Sequence, residues 1–250
     1  MLACGHCPKT PEAATAEQTT ENGMNNFAQI PTRWMKDDKP HSLLRDFSWN
    51  SKEKSDYIAS LMLYVCIAQH ITKIREEISI SYSQLSGLTN LSRAKISSGI
   101  SILKNKKIIS VSCEKKTNLY GLLWREKEEG WAKLPVKSMY NTDCSLIEPF
   151  KNFHLRKKVE LDALKLYLIL VAFRDEKSNS TVMKYETISN YTGIAMNDIK
   201  SASSFLVSLN LINVDKSNIE DEMKRWKNVY RINGINRHRH AGNSPEPFWS

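Results

Sequence analysis

The sequence predicts a mixed α+β protein that is mainly α-helical, carries small β-hairpins and contains the same structural unit twice. Residues 85–111 read as two helices separated by a tight turn and followed by a strand. Residues 188–214 repeat this pattern without a gap, 103 positions later along the chain. A long helix precedes each of these segments, and a pair of strand-like runs lies at the end of each segment. We therefore expect two copies of one α+β unit.

The turn of the first copy lies at residues 89–91, where Asn90 tolerates the left-handed backbone conformation that a tight turn requires. Gly193, which also permits a positive φ, occupies the equivalent position of the second copy. Ser92 is a favourable N-cap for the second helix of the first copy. Two helices joined in this way are typical of a helix-turn-helix.

A long amphipathic helix precedes each helix-turn-helix, with its apolar residues on one face. These residues are Ile58, Leu61, Met62, Val65 and Ala68 in the first copy, and Leu161, Leu164, Leu168 and Val171 in the second. Asn50 with Glu53 has the spacing of a capping box before the first long helix. Ser81 with Gln84 has the same spacing before the first helix-turn-helix. We expect each long helix to support its motif through one apolar face.

The repeat extends beyond the helix-turn-helix segments. Upstream, residues 27–35 resemble residues 131–139, since each segment has an aromatic residue, a short apolar entry and a proline. Gly99 and Ala202 occupy the same position in the two second helices, where a small residue lets another helix approach closely. The order strand, helix, helix-turn-helix and two-stranded hairpin is that of a winged helix. The sequence thus predicts two tandem winged helix-turn-helix domains with small β wings.

The length of 250 residues allows two domains of about 100 residues each. The first winged-helix domain is predicted at residues 27–124 and the second at residues 131–235, with a charged linker at residues 125–130. Residues 1–26 contain almost no large apolar side chains and are predicted to form a disordered N-terminal tail. Residues 236–250 are predicted to form a flexible C-terminal tail.

The composition favours an acidic partner and a reducing compartment. The formal net charge is +9 and the pI is about 9.2, and nucleic acid is the commonest partner of a soluble basic protein. The five cysteines are odd in number and mostly far apart, unlike a disulfide framework. The longest apolar run, residues 166–173, is too short to span a bilayer, and the sequence shows no signal peptide. We therefore expect a cytoplasmic, nucleoid-associated protein with no membrane partner.

Enzymatic and metal-binding interpretations find little support in the sequence. It contains no Gly-rich phosphate-binding loop ending in Lys-Ser/Thr, which argues against a nucleotide-driven motor. Cys4 and Cys7 have the spacing of half a zinc site, but no second ligand pair follows at a suitable distance. His238 and His240 lie in a polar tail, whereas rolling-circle nicking enzymes place their metal-binding histidine pair on a sheet strand. The sequence predicts no catalytic residue, no metal site and no cofactor.

The predicted DNA-contacting residues lie on the second helix of each motif and on the hairpin that follows it. In the first copy they are Arg93, Lys95, Ser97 and Ser98 on the helix, Lys104, Lys106 and Lys107 near its end, and Lys115 and Lys116 in the wing. In the second copy they are Asn197, Lys200 and Ser201 on the helix, and Lys224, Arg225 and Lys227 in the wing.

The two second helices differ in the bases that they can read. Arg93 is the best candidate for a guanine contact, because its planar guanidinium can pair with O6 and N7. Asn197 can read adenine, but Asp198 on the same helix is expected to repel phosphate. We expect the first winged helix to be the main DNA reader, and the second to bind more weakly or to serve dimerisation. The alternative is that winged helices here are protein-interaction modules without specific DNA binding.

The duplicated pattern resembles winged-helix proteins of plasmids and phages. The resemblance rests on the aromatic-x-x-apolar-Pro openings, on long helices ending near Tyr64 and Tyr167, and on the segments Leu-Ser-Gly-Leu-Thr-Asn and Ile-Ser-Asn-Tyr-Thr-Gly. It spans about residues 27–235, and the tandem members of this group include replication initiators that bind repeated origin sequences. It implies sequence-specific binding to double-stranded DNA, homodimer formation through one winged domain and recruitment of host replication proteins. A transcriptional regulator and a plasmid-partition protein remain alternatives.

Overall fold

The computed structural model describes residues 26–36, 42–71, 76–114, 117–123, 130–217 and 227–235. Within these ranges the protein is mixed α+β and mainly helical, as the sequence predicts. The helices are α1 (Arg33–Lys36), α2 (Lys54–His70), α3 (Tyr82–Thr89), α4 (Arg93–Asn105), α5 (Lys158–Ala172), α6 (Tyr185–Thr192) and α7 (Met196–Ser208). The strands are β1 (Phe27–Pro31), β2 (Glu77–Ser79), β3 (Ile109–Glu114), β4 (Thr117–Leu122), β5 (Trp131–Pro135), β6 (Ser180–Met183), β7 (Ile212–Ser217) and β8 (Lys227–Ile232).

The strands form three small antiparallel sheets in the described part of the chain. One sheet pairs β1 with β5, from Phe27 opposite Pro135 to Pro31 opposite Trp131. The other two have three strands each, in the orders β2-β4-β3 and β6-β8-β7. α6 begins 103 residues after α3, and α7 begins 103 residues after α4. Both halves therefore place a helix pair beside a sheet of the same strand order.

The predicted turn between the paired helices is confirmed in both halves. α3 ends at Thr89 and α4 begins at Arg93, and between them Asn90 has a φ of 56°. Gly193 has a φ of 68° at the same place in the second half. The hydroxyl groups of Thr89 and Thr192 each donate at 2.6 Å to the carbonyl oxygen four residues earlier. The turn chemistry of the two halves is thus the same.

The predicted helix starts are confirmed at the helix pair of the first half but not at α2. Ser81 starts α3 with a complete capping box, and Ser92 caps α4. The predicted capping box of Asn50 with Glu53 is wrong. The backbone N–H of Glu53 donates to the Ser51 hydroxyl at 3.1 Å, so the chain forms a turn at this point. α2 begins after this turn, and the side chain of its N-cap residue makes no capping hydrogen bond.

The two long helices are buried on all sides, so the prediction of a single apolar face is wrong. Every residue of α2 from 57 to 69 is buried, and so is every residue of α5 from 160 to 172. α2 packs against α4, α5 and β1, while α5 packs against α7, α2 and β5. A helix enclosed by such neighbours must be apolar around most of its circumference. α2 and α5 therefore form the common centre of both halves.

The two halves share one hydrophobic core. Each half also donates a hydrogen bond to the helix pair of the other half. The Arg45 guanidinium donates to the Asn190 carbonyl oxygen in α6 at 2.7 Å, and the Ile147 N–H donates to the Leu88 carbonyl oxygen in α3 at 2.9 Å. These reciprocal contacts hold each helix pair against the opposite half. The division into domains at residues 125–130 stays a prediction.

A buried lysine also joins the halves. The Lys165 ammonium of α5 donates to the Phe47 carbonyl oxygen at 2.9 Å, and the residue is only 3% exposed. Burial lowers the pKa of Lys165 to about 8, while the neighbouring Asp162 carboxylate favours its charged form. An ammonium group in a core requires such partners. The hydrogen bond from Lys165 to the Phe47 carbonyl therefore fixes how the segment before α2 meets α5.

Candidate nucleic-acid interface

α4 buries one face and exposes the other. Its buried residues, which pack against α2, are Ile96, Gly99, Ile100 and Leu103. The approach is close at Gly99, where an added Cβ would lie 2.7 Å from Leu63 Cδ1 and 3.1 Å from the backbone nitrogen of Ser60. This contact fixes the rotation of α4 about its axis, so the opposite face points to solvent.

The outward face of α4 carries four of the predicted DNA-contacting residues. Arg93, Ser97, Ser98 and Lys104 are all exposed. The Nη2 atom of Arg93 donates to the Ser83 hydroxyl of α3 at 3.1 Å. This hydrogen bond holds the guanidinium at the N-terminal end of α4, the end at which a helix-turn-helix presents side chains to bases.

Lys95 forms an ion pair and a hydrogen bond with residues at the start of α2. Its Nζ atom lies 2.8 Å from the Asp56 carboxylate and 2.7 Å from the Ser55 hydroxyl. Both charged side chains are partly buried. The predicted DNA contact of Lys95 stays a prediction, but in the folded protein its ammonium group ties α4 to α2.

The three lysines near the end of α4 lie in different surroundings. The Lys106 ammonium pairs with the Asp46 carboxylate at 3.1 Å and lies 5.3 Å from the centre of the Phe47 ring. Lys107 is exposed and has a φ of 55°, in the left-handed conformation that often ends a helix. Lys104 is exposed as well. Lys106 is therefore tied to the segment before α2, whereas Lys104 and Lys107 reach the surface.

The outward face of α7 carries fewer positive charges than that of α4. Three predicted DNA-contacting residues are exposed on α7: Asn197, Lys200 and Ser201. At the constant spacing of 103 residues, Met196 takes the place of Arg93 and Val207 takes the place of Lys104. The two helices therefore offer different chemistry on equivalent faces.

Asp198 is the equivalent of Lys95 and carries the opposite charge. Its carboxylate pairs with the Lys158 ammonium at the start of α5, and the same ammonium lies 2.9 Å from Asp162. Burial acts to lower the pKa of Lys158, but hydrogen bonds to the two carboxylates raise this pKa overall. Because Lys158 balances the charge of Asp198, the phosphate repulsion expected from the sequence is weakened.

Sequence reasoning missed the ion-pair roles of Asp56 and Lys158, which hold the two second helices in place. They lie 39 and 40 positions before their partners, Lys95 and Asp198. A signal for them was present, since equivalent positions of the two copies carry opposite charges. Such a reversal is compatible with charged partners of opposite sign, but it does not show where in the chain the partners lie.

Some predicted residues lie outside the part of the chain that the structure describes. They are the wing residues Lys115, Lys116, Lys224 and Arg225, and the tail residues Cys4, Cys7, His238 and His240. Lys227 is the first residue of β8, and its backbone is paired with Ser217 of β7. The roles of the wings and of both predicted tails therefore stay predictions.

Comparisons with known protein families and curated proteins do not identify a function for this chain. No protein-family model matches the chain, and a search of curated proteins finds no similar sequence. Within the described ranges, no helix combines the length and apolarity needed to cross a bilayer. The same ranges contain no group of three or more His, Cys, Asp or Glu side chains that could hold a metal ion. The outward face of α4 presents basic side chains and serine hydroxyl groups and so suits an anionic ligand.

Proposed function

We propose that this protein binds double-stranded DNA sequence-specifically, and that each half is a winged helix-turn-helix unit. In each half a helix pair with a short turn accompanies a three-stranded antiparallel sheet, an order of elements typical of winged helices. In this proposal α4 and α7 are the recognition helices, and the β3–β4 and β7–β8 hairpins are the wings.

The observation that carries the proposal is the outward face of α4. This face presents Arg93, Lys104 and two serine hydroxyl groups, and the sequence of α4 contains no acidic residue. Basic side chains neutralise phosphates, whereas serine hydroxyls and an arginine fork hydrogen-bond to base edges in the major groove. The formal net charge of +9 adds a general attraction to a polyanion.

The basic residues within α4 and directly after it divide into two roles in this proposal. Arg93 pairs with guanine, and Lys104 contacts phosphate groups. Lys95 and Lys106 instead position the helix, because carboxylates of the protein itself hold their ammonium groups. Substitution of the DNA-contacting residues should weaken DNA binding directly. Substitution of Lys95 or Lys106 should weaken it indirectly, by changing the position of α4.

The biological role that we propose is replication initiation at repeated origin sequences of a mobile element. This role rests on the resemblance to winged-helix proteins of plasmids and phages. Transcriptional regulators and partition proteins use the same kind of DNA contact, so the location of the bound site distinguishes these roles. An adaptor that holds a protein partner is the alternative from a different class, and its interaction would survive loss of the charges on α4.

The test is a gel-shift titration of the full-length protein with duplex fragments that tile its own gene and the flanking DNA. Nonspecific competitor is present, and the titration is run at two salt concentrations. We expect one discrete complex whose affinity falls steeply with salt, because phosphate contacts release counterions. Arg93→Ala combined with Lys104→Ala should weaken this complex about tenfold or more, since a base-reading arginine contributes about 1–3 kcal/mol.

The matched control is Lys151→Ala combined with Lys177→Ala, which removes two positive charges from exposed positions outside α4 and α7. This variant should bind nearly as well as the parent protein. A smear that competitor abolishes, or an equal loss of affinity in both double variants, contradicts sequence-specific reading by α4. A discrete complex at repeats beside an origin supports initiation, and one at a promoter supports regulation.

A further inference from the structure

Met196 and Val207 are exposed apolar residues on α7 at positions where α4 carries basic ones. Met196 is 51% exposed and Val207 is 44% exposed. The equivalent residues of α4, 103 positions earlier, are Arg93 and Lys104. An apolar side chain gains free energy when it leaves water for an apolar contact. The outward face of α7 is therefore suited to a ligand that presents apolar as well as polar groups.

The neighbours of Met196 are polar. Asn197 follows it in the first turn, and Lys200 lies one turn further along the same side of the helix, between Met196 and Val207. A protein-docking surface is typically a contiguous apolar patch, and the charge of Lys200 interrupts such a patch here. Lys158 pairs with Asp198, which weakens the repulsion of phosphate by this carboxylate. These surroundings favour a nucleic-acid contact over a protein contact.

We propose that α7 reads A·T base pairs, with Met196 against the C5-methyl group of thymine and the Asn197 amide on adenine. The inference rests on the proposed DNA-binding function. In the major groove the thymine methyl is the apolar group that a base edge offers, and an asparagine amide can pair with N6 and N7 of adenine. Arg93 of α4 is suited to guanine. The two recognition helices of the proposal therefore prefer different base pairs.

The experiment removes the thymine methyl group without any other change to the DNA. The full-length protein first selects duplexes from a random library, and each thymine of the selected duplex is then replaced, one at a time, by deoxyuridine. At one or two positions we expect the dissociation constant to rise about fourfold, because the complex no longer gains the burial of one methyl group. Met196→Ala should bind the unmodified duplex more weakly and should be insensitive to deoxyuridine at those same positions.

Val182→Ala is the matched control, because it shortens an exposed apolar residue outside α7 and should keep the full sensitivity to deoxyuridine. Thermal unfolding checks that both variants retain the fold. The thymine contact is overturned if the parent protein tolerates deoxyuridine at every position, or if Met196→Ala keeps the full sensitivity. It is also overturned if Met196→Ala alters self-association and leaves DNA affinity unchanged. A selection that yields no bound duplex would instead contradict the proposed function itself, and this inference with it.

Discussion

At the scale of single residues, Lys95 and Asp198 occupy one structural position with opposite charges. Each is the third residue of its helix, and each forms an ion pair with the start of the long helix that it packs against. An acidic residue in the first turn of a helix interacts favourably with the helix dipole, whereas a lysine does not. The contact with Asp56 therefore offsets the unfavourable interaction of Lys95 with the helix dipole. Asp198 is stabilised both by its ion pair and by the helix dipole.

We expect the Lys95–Asp56 pair to contribute about 0.5–1 kcal/mol to the free energy of unfolding, as is usual for partly exposed ion pairs. Lys95→Met, which keeps the apolar stem, and Asp56→Asn should each destabilise the protein. The double variant should lose less stability than the sum of the two, and urea denaturation of all variants measures this coupling energy. Lys104→Met with Asp56→Asn is the control cycle and should show no coupling. If the effects of Lys95→Met and Asp56→Asn are also additive, the ion pair is not formed in solution.

The sequence indicates the exposure of the α4 side chains better than it indicates their contacts. Arg93 and Lys95 look alike in the sequence, because both are basic and both lie in the first turn of α4. Their partners differ, since Arg93 contacts a hydroxyl group of α3 and Lys95 meets a carboxylate 39 positions earlier. Such a distant contact depends on how the helices pack, and a local pattern cannot reveal it.

At the scale of secondary-structure elements, the close approach of α2 and α4 depends on the absence of a side chain at Gly99. Gly99→Ala should lower the free energy of unfolding by about 1 kcal/mol, because overpacking costs more than alanine gains in helix propensity. The new Cβ would lie 2.7 Å from Leu63 Cδ1 and 3.1 Å from the backbone nitrogen of Ser60. Leu63 can change its rotamer, but the backbone of Ser60 can yield only if the helices move apart.

Gly87→Ala in α3 is the matched control for this substitution. The nearest atom to an added Cβ at Gly87 is 3.8 Å away, so alanine fits there without displacement. This variant should raise the free energy of unfolding by about 0.5–1 kcal/mol, since glycine inside a helix is unfavourable. Denaturant unfolding of both variants measures the difference. Stabilisation by Gly99→Ala as well would show that α2 and α4 have more room between them than the structure indicates.

Local signals predicted the short elements well and the long helices less well. The turn at Asn90 and the capping box at Ser81 depend on a few neighbouring residues, and the sequence indicates both correctly. The apolar residues within each copy indicate one buried face for each long helix, because the sequence of one copy does not show which part of the other copy packs against it. The two long helices also pack against each other, and α5 packs against α1, so part of the surface of each long helix is buried by the other copy. A contact between copies leaves no periodic signal within either copy.

At the scale of the whole molecule, each half completes the core of the other. β1 pairs with β5, α2 packs against α5, and the Lys165 ammonium of one half is held by the Phe47 carbonyl of the other. The Arg45 guanidinium adds a hydrogen bond to α6 across the same boundary. These contacts fix α4 and α7 in one relative arrangement. In the proposed function, this arrangement sets the spacing at which two DNA segments can be read.

The shared core predicts that both halves unfold as one cooperative unit. Ile30 is fully buried in β1, and Ile30→Ala should lower the free energy of unfolding by about 2–4 kcal/mol. Native-state hydrogen exchange resolves this loss by element, and the slowest amides of α4 and α7 should lose the same amount of protection. Val182→Ala at an exposed position of β6 is the control and should change neither helix. Loss of protection confined to α4 would instead reveal two independently folding domains, with a boundary where the sequence predicts the linker.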